Sequence, residues 1–253
     1  MKLQIINRAR QKIAVQVEGP KDGKQLAFVM HGLGGNMNEP HIRAVIQAFL
    51  TCAYTVVSWD AVHTFGESTG GKFEDATVTN YYADLEDVIA WTSEQEWYCE
   101  PFILAGHSLG GIATALYAER HPEKVIALAP LSTVISGRLS METKESDFEA
   151  WQREGMRITK RPQDGSVARL KWSHMEDRLG YDLLPQVARL TMPVLLIVGE
   201  KDVPTPIAHQ QLLFERLPGP KELHIVRGSP HVFYKPQWYG EVQRVIEDWL
   251  RRL

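Results

Sequence analysis

Cysteine is scarce: the chain has two, Cys52 and Cys99, among 253 residues. Two such residues make neither a disulfide framework nor a zinc-ligand spacing, and they read as reduced, partly buried thiols. Long apolar runs are missing as well. None approaches the roughly 20 residues that a membrane span needs. The start, MKLQIINRARQKIAVQVEG, has no apolar h-region and no small-residue cleavage site, so no signal peptide is expected and a cytoplasmic location is the simplest expectation. No long run of one charge sign occurs, and the net charge is −3. A surface of that kind argues against nucleic acid as a partner. Internal repeats and low-complexity segments are also missing, and nothing in the sequence fixes an oligomeric state.

What is there is ordinary globular composition, 44% hydrophobic and 23% charged. The length suits one large α/β domain, or one domain carrying an insertion. Apolar runs at 26–30, 54–59, 102–105, 125–129, 194–198 and 222–226 predict strands, most of them buried on both faces. Helical patterns alternate with them, so a mostly parallel sheet covered on both sides is expected. KLQII and KIAVQV, near the start, add an antiparallel edge. Asn80 is placed as the cap of a helix in which Leu85, Val88 and Ile89 share a face. The last helix carries the stripe Val242, Val245, Ile246, Trp249, Leu250 and Leu253.

One segment breaks this rhythm. Residues 136–180 hold nine Lys/Arg and eight Asp/Glu, with scattered Leu139, Met141, Phe148, Trp151, Met156, Trp172 and Met175. The expectation is a core at 1–133 and 188–253, with an inserted helical cap at 134–187 leaning its aromatic and Met side chains on that core. A surface excursion without a role is the competing reading.

Chemistry is signalled by ILAGHSLGGIATALYAER. Gly106-His107-Ser108-Leu109-Gly110 matches G-x-S-x-G, between a predicted strand and a small-residue helix. A strand–serine–helix corner is what a nucleophile elbow requires. It sets Ser108 at the carboxyl edge of the sheet, where open α/β sheets bind ligands. His107 is a poor base for its neighbour, because successive residues leaving a strand point to opposite sides. A role in supporting the turn suits it better. Of the nine histidines, His231 in IVRGSPHVFYKP follows the last strand and reaches the same edge. A base needs an acid to orient it. VLLIVGEKDVPTP supplies Asp202, with Glu200 as the rival two residues earlier. The glycine-rich FVMHGLGGNMNEP offers backbone N–H donors for an oxyanion, Leu33 among them, and Leu109 offers the second. This loop lacks the Lys-Ser/Thr of a P-loop and the spacing of a dinucleotide site.

HGLGGN, GHSLGG, VGEKDVPTP and GSPHVF together resemble the serine α/β-hydrolases. Within them the chain is most similar to small bacterial carboxylesterases of the cinnamoyl/feruloyl esterase and monoacylglycerol-lipase-like groups. The resemblance implies the α/β-hydrolase fold with a cap between strands six and seven. It implies a triad of Ser108, Asp202 and His231, and oxyanion donors at Leu33 and Leu109. One stretch departs from the family. Its D-x-x-G-x-G-x-S becomes WDAVHTFGESTGG, in which Asp60, Gly66, Glu67 and Ser68 match. The first glycine is missing, and His63, Thr64 and Phe65 fill a loop one residue longer.

The expected reaction is hydrolysis of a small carboxylic ester through an acyl-enzyme, needing no metal and no organic cofactor. Thioester, lactone or carbon–carbon hydrolysis by the same triad, and a ligand-binding protein with an idle site, are the alternatives. Phe65, Trp151 and Trp172 either line an apolar substrate pocket or belong to the core.

Overall fold

The computed structural model describes residues 1–144, 147–161 and 165–253. In chain order the main elements are β1 (Lys2–Ile6), β2 (Lys12–Glu18), β3 (Leu26–Met30), α1 (Pro40–Thr51), β4 (Thr55–Trp59), α2 (Val78–Ser93), β5 (Phe102–His107), α3 (Leu109–Arg120) and β6 (Val125–Leu131). There follow α4 (Gly137–Met141), α5 (Phe148–Glu154), β7 (Met156–Lys160), β8 (Val167–Lys171) and α6 (Ser173–Arg178). The chain closes with β9 (Val194–Gly199), α7 (Ile207–Arg216), β10 (Lys221–Val226) and α8 (Pro236–Leu250).

Eight strands form one sheet in the order β1-β2-β4-β3-β5-β6-β9-β10. β2 runs antiparallel to both β1 and β4, and the strands from β4 to β10 are parallel. The central strands are apolar throughout because both faces are covered, and β3, β4, β5 and β9 are buried at every residue. One face carries α2 and α3, whose Tyr81, Leu85, Val88, Ile112 and Leu116 join Phe28, Phe102 and Leu128 in one core cluster. The other carries α1 and α8, with Phe49, Val242, Ile246 and Trp249 over Val29, Ile103 and Ile197.

Two expectations shift by a few residues. The α2 cap is Thr77, whose hydroxyl accepts from the Asn80 amide, while Asn80 reaches back to the Thr77 amide. Asn80 is thus the return arm of a capping box rather than its first member. In α8 the predicted stripe holds through Leu250, but Leu253 lies beyond the helix and is exposed.

Between β6 and β9 the chain leaves the sheet. The Ser136–Asp182 bridge, with Gly137 donating to Tyr181 O and Leu183 donating to Ile135 O, brings its two ends together. The insertion holds α4, α5 and α6, and in addition an antiparallel hairpin of β7 and β8 that the sequence pattern did not reveal. The hairpin residues MRITK and VARLK alternate charged with apolar or small residues over a few positions each, too short a signal to separate from a helix by periodicity alone. Phe148, Trp151, Leu170, Trp172 and Met175 are buried and continuous with the α2/α3 core. Trp151 also donates its indole N–H to Leu170 O at 3.0 Å. Each such large side chain, taken out of water, contributes about 1.5–3 kcal/mol or more. Lys171 pairs with Asp75 and Glu74, fastening the hairpin to the main sheet's side of the molecule.

Candidate active site

Ser108 sits between β5 and α3 with φ 54° and ψ −112°. That backbone is unfavourable for a residue with a Cβ and persists only where the surroundings enforce it. They do so here. The Ser108 amide donates to Leu131 O at 2.9 Å, and its carbonyl accepts from Ile112 and Val134. Strand and helix approach so closely that a Cβ at Gly106 would lie 2.3 Å from Gly110 O. A Cβ at Gly110 would lie 2.4 Å from His31 O. Both glycines of the motif are therefore packing requirements.

His231 lies in the loop between β10 and α8, 123 positions from Ser108, with its Nε2 2.9 Å from the Ser108 hydroxyl. Its Nδ1 is 3.0 Å from Asp202 Oδ1 and 2.9 Å from Oδ2. The carboxylate accepts, so the proton sits on Nδ1 and Nε2 is left to accept from Ser108. Asp202 follows β9, and its side chain is fully enclosed. Burial by itself pushes this carboxyl up. The hydrogen bond and charge of His231 and the Thr205 amide outweigh burial and hold it below the usual carboxylate range. Thr205 N donates to Oδ1 at 2.8 Å, and the Thr205 hydroxyl lies 3.0 Å from Oδ2 and 2.9 Å from Ser132 O. Glu200, the rival acid, is exposed and accepts from the Gly228 amide instead.

His107 touches the site from behind. Its Nε2 lies 3.0 Å from His231 O, and its ring packs against the His231, His41 and Phe233 rings. Burial, helped by the charge of His231, pushes it down to about 3. A neutral ring donates from Nε2 to that carbonyl, so His107 anchors the loop bearing His231. His31 acts similarly on the other side. Its Nδ1 is 2.7 Å from Gly32 O, and its Nε2 accepts from the Ala61 amide at 3.0 Å. Burial lowers its pKa, consistent with a neutral ring that accepts a hydrogen bond.

The glycine loop after β3 folds back through Gly35 N donating to Gly32 O. The Tyr81 hydroxyl also donates to Gly32 O, and the Thr64 hydroxyl to Gly35 O. Leu33 and Leu109 line one cavity of about 240 Å³ together with Ser108 and His231. Leu109 is the first residue of α3, so its amide stands at a helix N-terminus, which favours developing negative charge.

The unusual 60–71 loop is organised by Asp60, which is fully buried. Asp60 accepts from the Met37 and Glu67 amides, at 2.7 and 2.6 Å. Ser68 bridges the Asp60 carbonyl and the Ala14 amide. Asp84 accepts from the Val62 amide and from Asn7, and burial pushes its carboxyl up to about 6. The loop so held carries Phe65 into the cavity wall beside Phe73.

Of the three aromatic residues considered for a substrate pocket, Phe65 is therefore at the cavity. Trp151 and Trp172 are not. They stack edge to face at 5.5 Å inside the core, because the insertion needs them to attach to the sheet. Sequence reading did not single out Thr205, or Arg157, Arg161 and Arg178, which also line the cavity. VPTP hinted at Thr205 only through its place three residues after Asp202. Among the described residues no group of three or more His, Cys, Asp or Glu is placed to hold a metal ion. No helix among them is long and apolar enough to cross a membrane.

Residues 21–163 match the family described as serine aminopeptidase, S33. A thermostable monoacylglycerol lipase of Bacillus sp. (strain H-257) is 23% identical over 230 residues, 84% of each chain. The bovine mitochondrial palmitoyl-protein thioesterase ABHD10 is 25% identical over 177 residues, which are 68% of this chain but 55% of that protein. Est1E of Butyrivibrio proteoclasticus, solved with ferulic acid bound, superposes with a TM-score of 0.84 at 20% identity, covering 100% of this chain and 98% of that one. The architecture is the α/β-hydrolase fold.

Proposed function

The chain belongs to the serine aminopeptidase S33 family of α/β-hydrolases, and from that membership we propose that it hydrolyses carboxylic esters through an acyl-enzyme on Ser108. The observation that carries this reading is the unbroken line from Ser108 Oγ through His231 to Asp202, with contacts of 2.9 to 3.0 Å. That geometry lets His231 take the Ser108 proton as the hydroxyl attacks the ester carbonyl. The Leu33 and Leu109 amides receive the oxyanion. His231 then gives the proton to the leaving alcohol and afterwards draws one from water, which releases the acid and restores Ser108. Asp202 stays ionised throughout and favours the imidazolium that forms at each step.

The test is hydrolysis of p-nitrophenyl butyrate together with labelling by a fluorophosphonate. Wild type should do both, and Ser108→Ala neither. A wild-type protein that resists the probe would be an idle hydrolase fold, and the proposal would be wrong. A second reading, thioester hydrolysis, draws support from the likeness to a palmitoyl-protein thioesterase. Butyryl thioester set against the oxygen ester of the same acid separates the two by kcat/KM.

The same reading makes the insertion at 134–187 a cap. Its β7–β8 hairpin forms one wall of the cavity over the Ser108 edge of the sheet, through Arg157, Thr159 and Ala168.

A further inference from the structure

The cavity over Ser108 has two unlike walls. One is aromatic, with Phe65 and Phe73. The other is basic, with Arg157, Lys160, Arg161 and Arg178, and among the described residues no Asp or Glu lines it. Composition does not explain this. The chain has a net charge of −3, and residues 136–180 mix nine basic with eight acidic side chains. The hairpin sorts them. Along a strand every second residue faces the same way, so Arg157 and Thr159 share a face, and Thr159 pairs with Ala168, which also lines the cavity. Ile158, between them, is 62% exposed. Arg161 comes next in the same phase, and its guanidinium lies 3.8 Å over the Phe65 ring, at the aromatic wall. Arg157 lies 4.4 Å over the Trp151 ring, on the buried side of the insertion. Arg178, at the end of α6, is only 5% exposed.

Stacking uses the flat face of a guanidinium, while its N–H donors lie at the edge in the plane. Planar donors of this kind match a carboxylate or a phosphate, often two bonds at a time. Partial enclosure strengthens their attraction for an anion relative to open water. A neutral alkyl ester gains nothing comparable from such a wall.

We infer that this cavity selects esters bearing an anionic group, a carboxylate or a phosphate, which Arg157, Arg161 and Arg178 hold while the ester carbonyl lies at Ser108. The inference rests on the ester-hydrolase reading and names its substrate class. The ester is cleaved as described, and the anionic group is not altered. Its partner, the apolar part of the substrate, lies against Phe65 and Phe73.

Two matched pairs test it by titration of released acid: monoethyl adipate against diethyl adipate, and 1-butyryl-glycerol 3-phosphate against 1-butyryl-glycerol. The first pair carries the charge as a carboxylate on the acyl side, the second as a phosphate on the alcohol side. In at least one pair kcat/KM should favour the anion about ten- to hundred-fold, and the pair that responds identifies the source. Arg161→Gln and Arg157→Gln should each cut that ratio at least fivefold, chiefly through KM, and Arg161→Glu should reverse it. Arg178→Gln should act in the same sense. Because that position is buried, the two hairpin variants keep the test decisive if it fails to fold. Arg153→Gln, on exposed α5, should leave the ratio unchanged. Ser108-dependent turnover with no preference in either pair, or a preference that no arginine variant lowers, overturns the inference and leaves the hydrolase reading intact. Turnover of none of the four esters, with no fluorophosphonate labelling, defeats both.

Discussion

The floor and the wall of the cavity are built on different principles. The floor comes from the ends of β3, β5, β9 and β10, strands held between two helical layers. Its titratable groups are enclosed and kept in one protonation state: His31 and His107 neutral, Asp202 ionised. The wall comes from a two-stranded hairpin fastened by a few large side chains and by Lys171. It offers cations. The floor has the means to break a bond, and the wall has the means to choose which molecule arrives. Chemistry of the first kind needs positions fixed to fractions of an ångström, which a parallel sheet supplies. Choice of the second kind tolerates a looser frame.

Variants of decreasing effect probe that contrast. Ser108→Ala should lower kcat about 10⁶-fold, because the members of such a triad act as a unit. Asp202→Asn should follow at about 10⁴-fold, by removing the acceptor that keeps the proton on Nδ1 of His231. Steady-state kinetics on p-nitrophenyl butyrate reads both, and a loss below tenfold for either would break the assignment of chemistry to the floor. Trp151→Ala should cost about 3–5 kcal/mol of stability, read by urea unfolding, since it empties the packing that joins wall to core. If the hairpin is an autonomous appendage, the loss will be smaller and a separate early transition will appear.

The fourth prediction concerns acid. His107 has a folded-state pKa of about 3, against the model value of 6.5. Between those values the unfolded chain binds a proton that the folded chain refuses, so stability falls as pH drops through this window. The slope due to His107 is about 1.4 kcal/mol per pH unit. Unfolding free energies measured from pH 6.5 to 4 should show His107→Gln with a slope shallower by that amount. An unchanged slope would mean the ring takes up a proton in the fold. Smallest of all, Glu200→Gln should leave kcat within about twofold, as an exposed group away from the reacting atoms.

Most of the floor is legible in the sequence because it obeys local rules. Strands buried on both faces read as unbroken apolar runs, and the elbow needs its glycines for contact with Gly110 O and His31 O. The base and the acid could be placed because loops after parallel strands all open on one edge of the sheet. The wall was harder. Nine cations and eight anions in 45 residues say nothing of direction until the strand phase of β7 is known. Trp151 and Trp172 look alike in a pocket and in a core, and only packing decides between them. Thr205 has no signature at all. Its value lies in meeting Asp202 and Ser132 O at once.

The twisted backbone at Ser108, with φ 54°, has a consequence for anyone who improves this protein. Glycine adopts such a conformation without the penalty that a Cβ incurs. A library screened for heat resistance alone would therefore tend to enrich glycine at position 108, and its winners would be tougher and inert. A screen that also demands product would hold the serine in place. The two searches diverge at a single codon, which makes position 108 a direct gauge of what a given selection rewards.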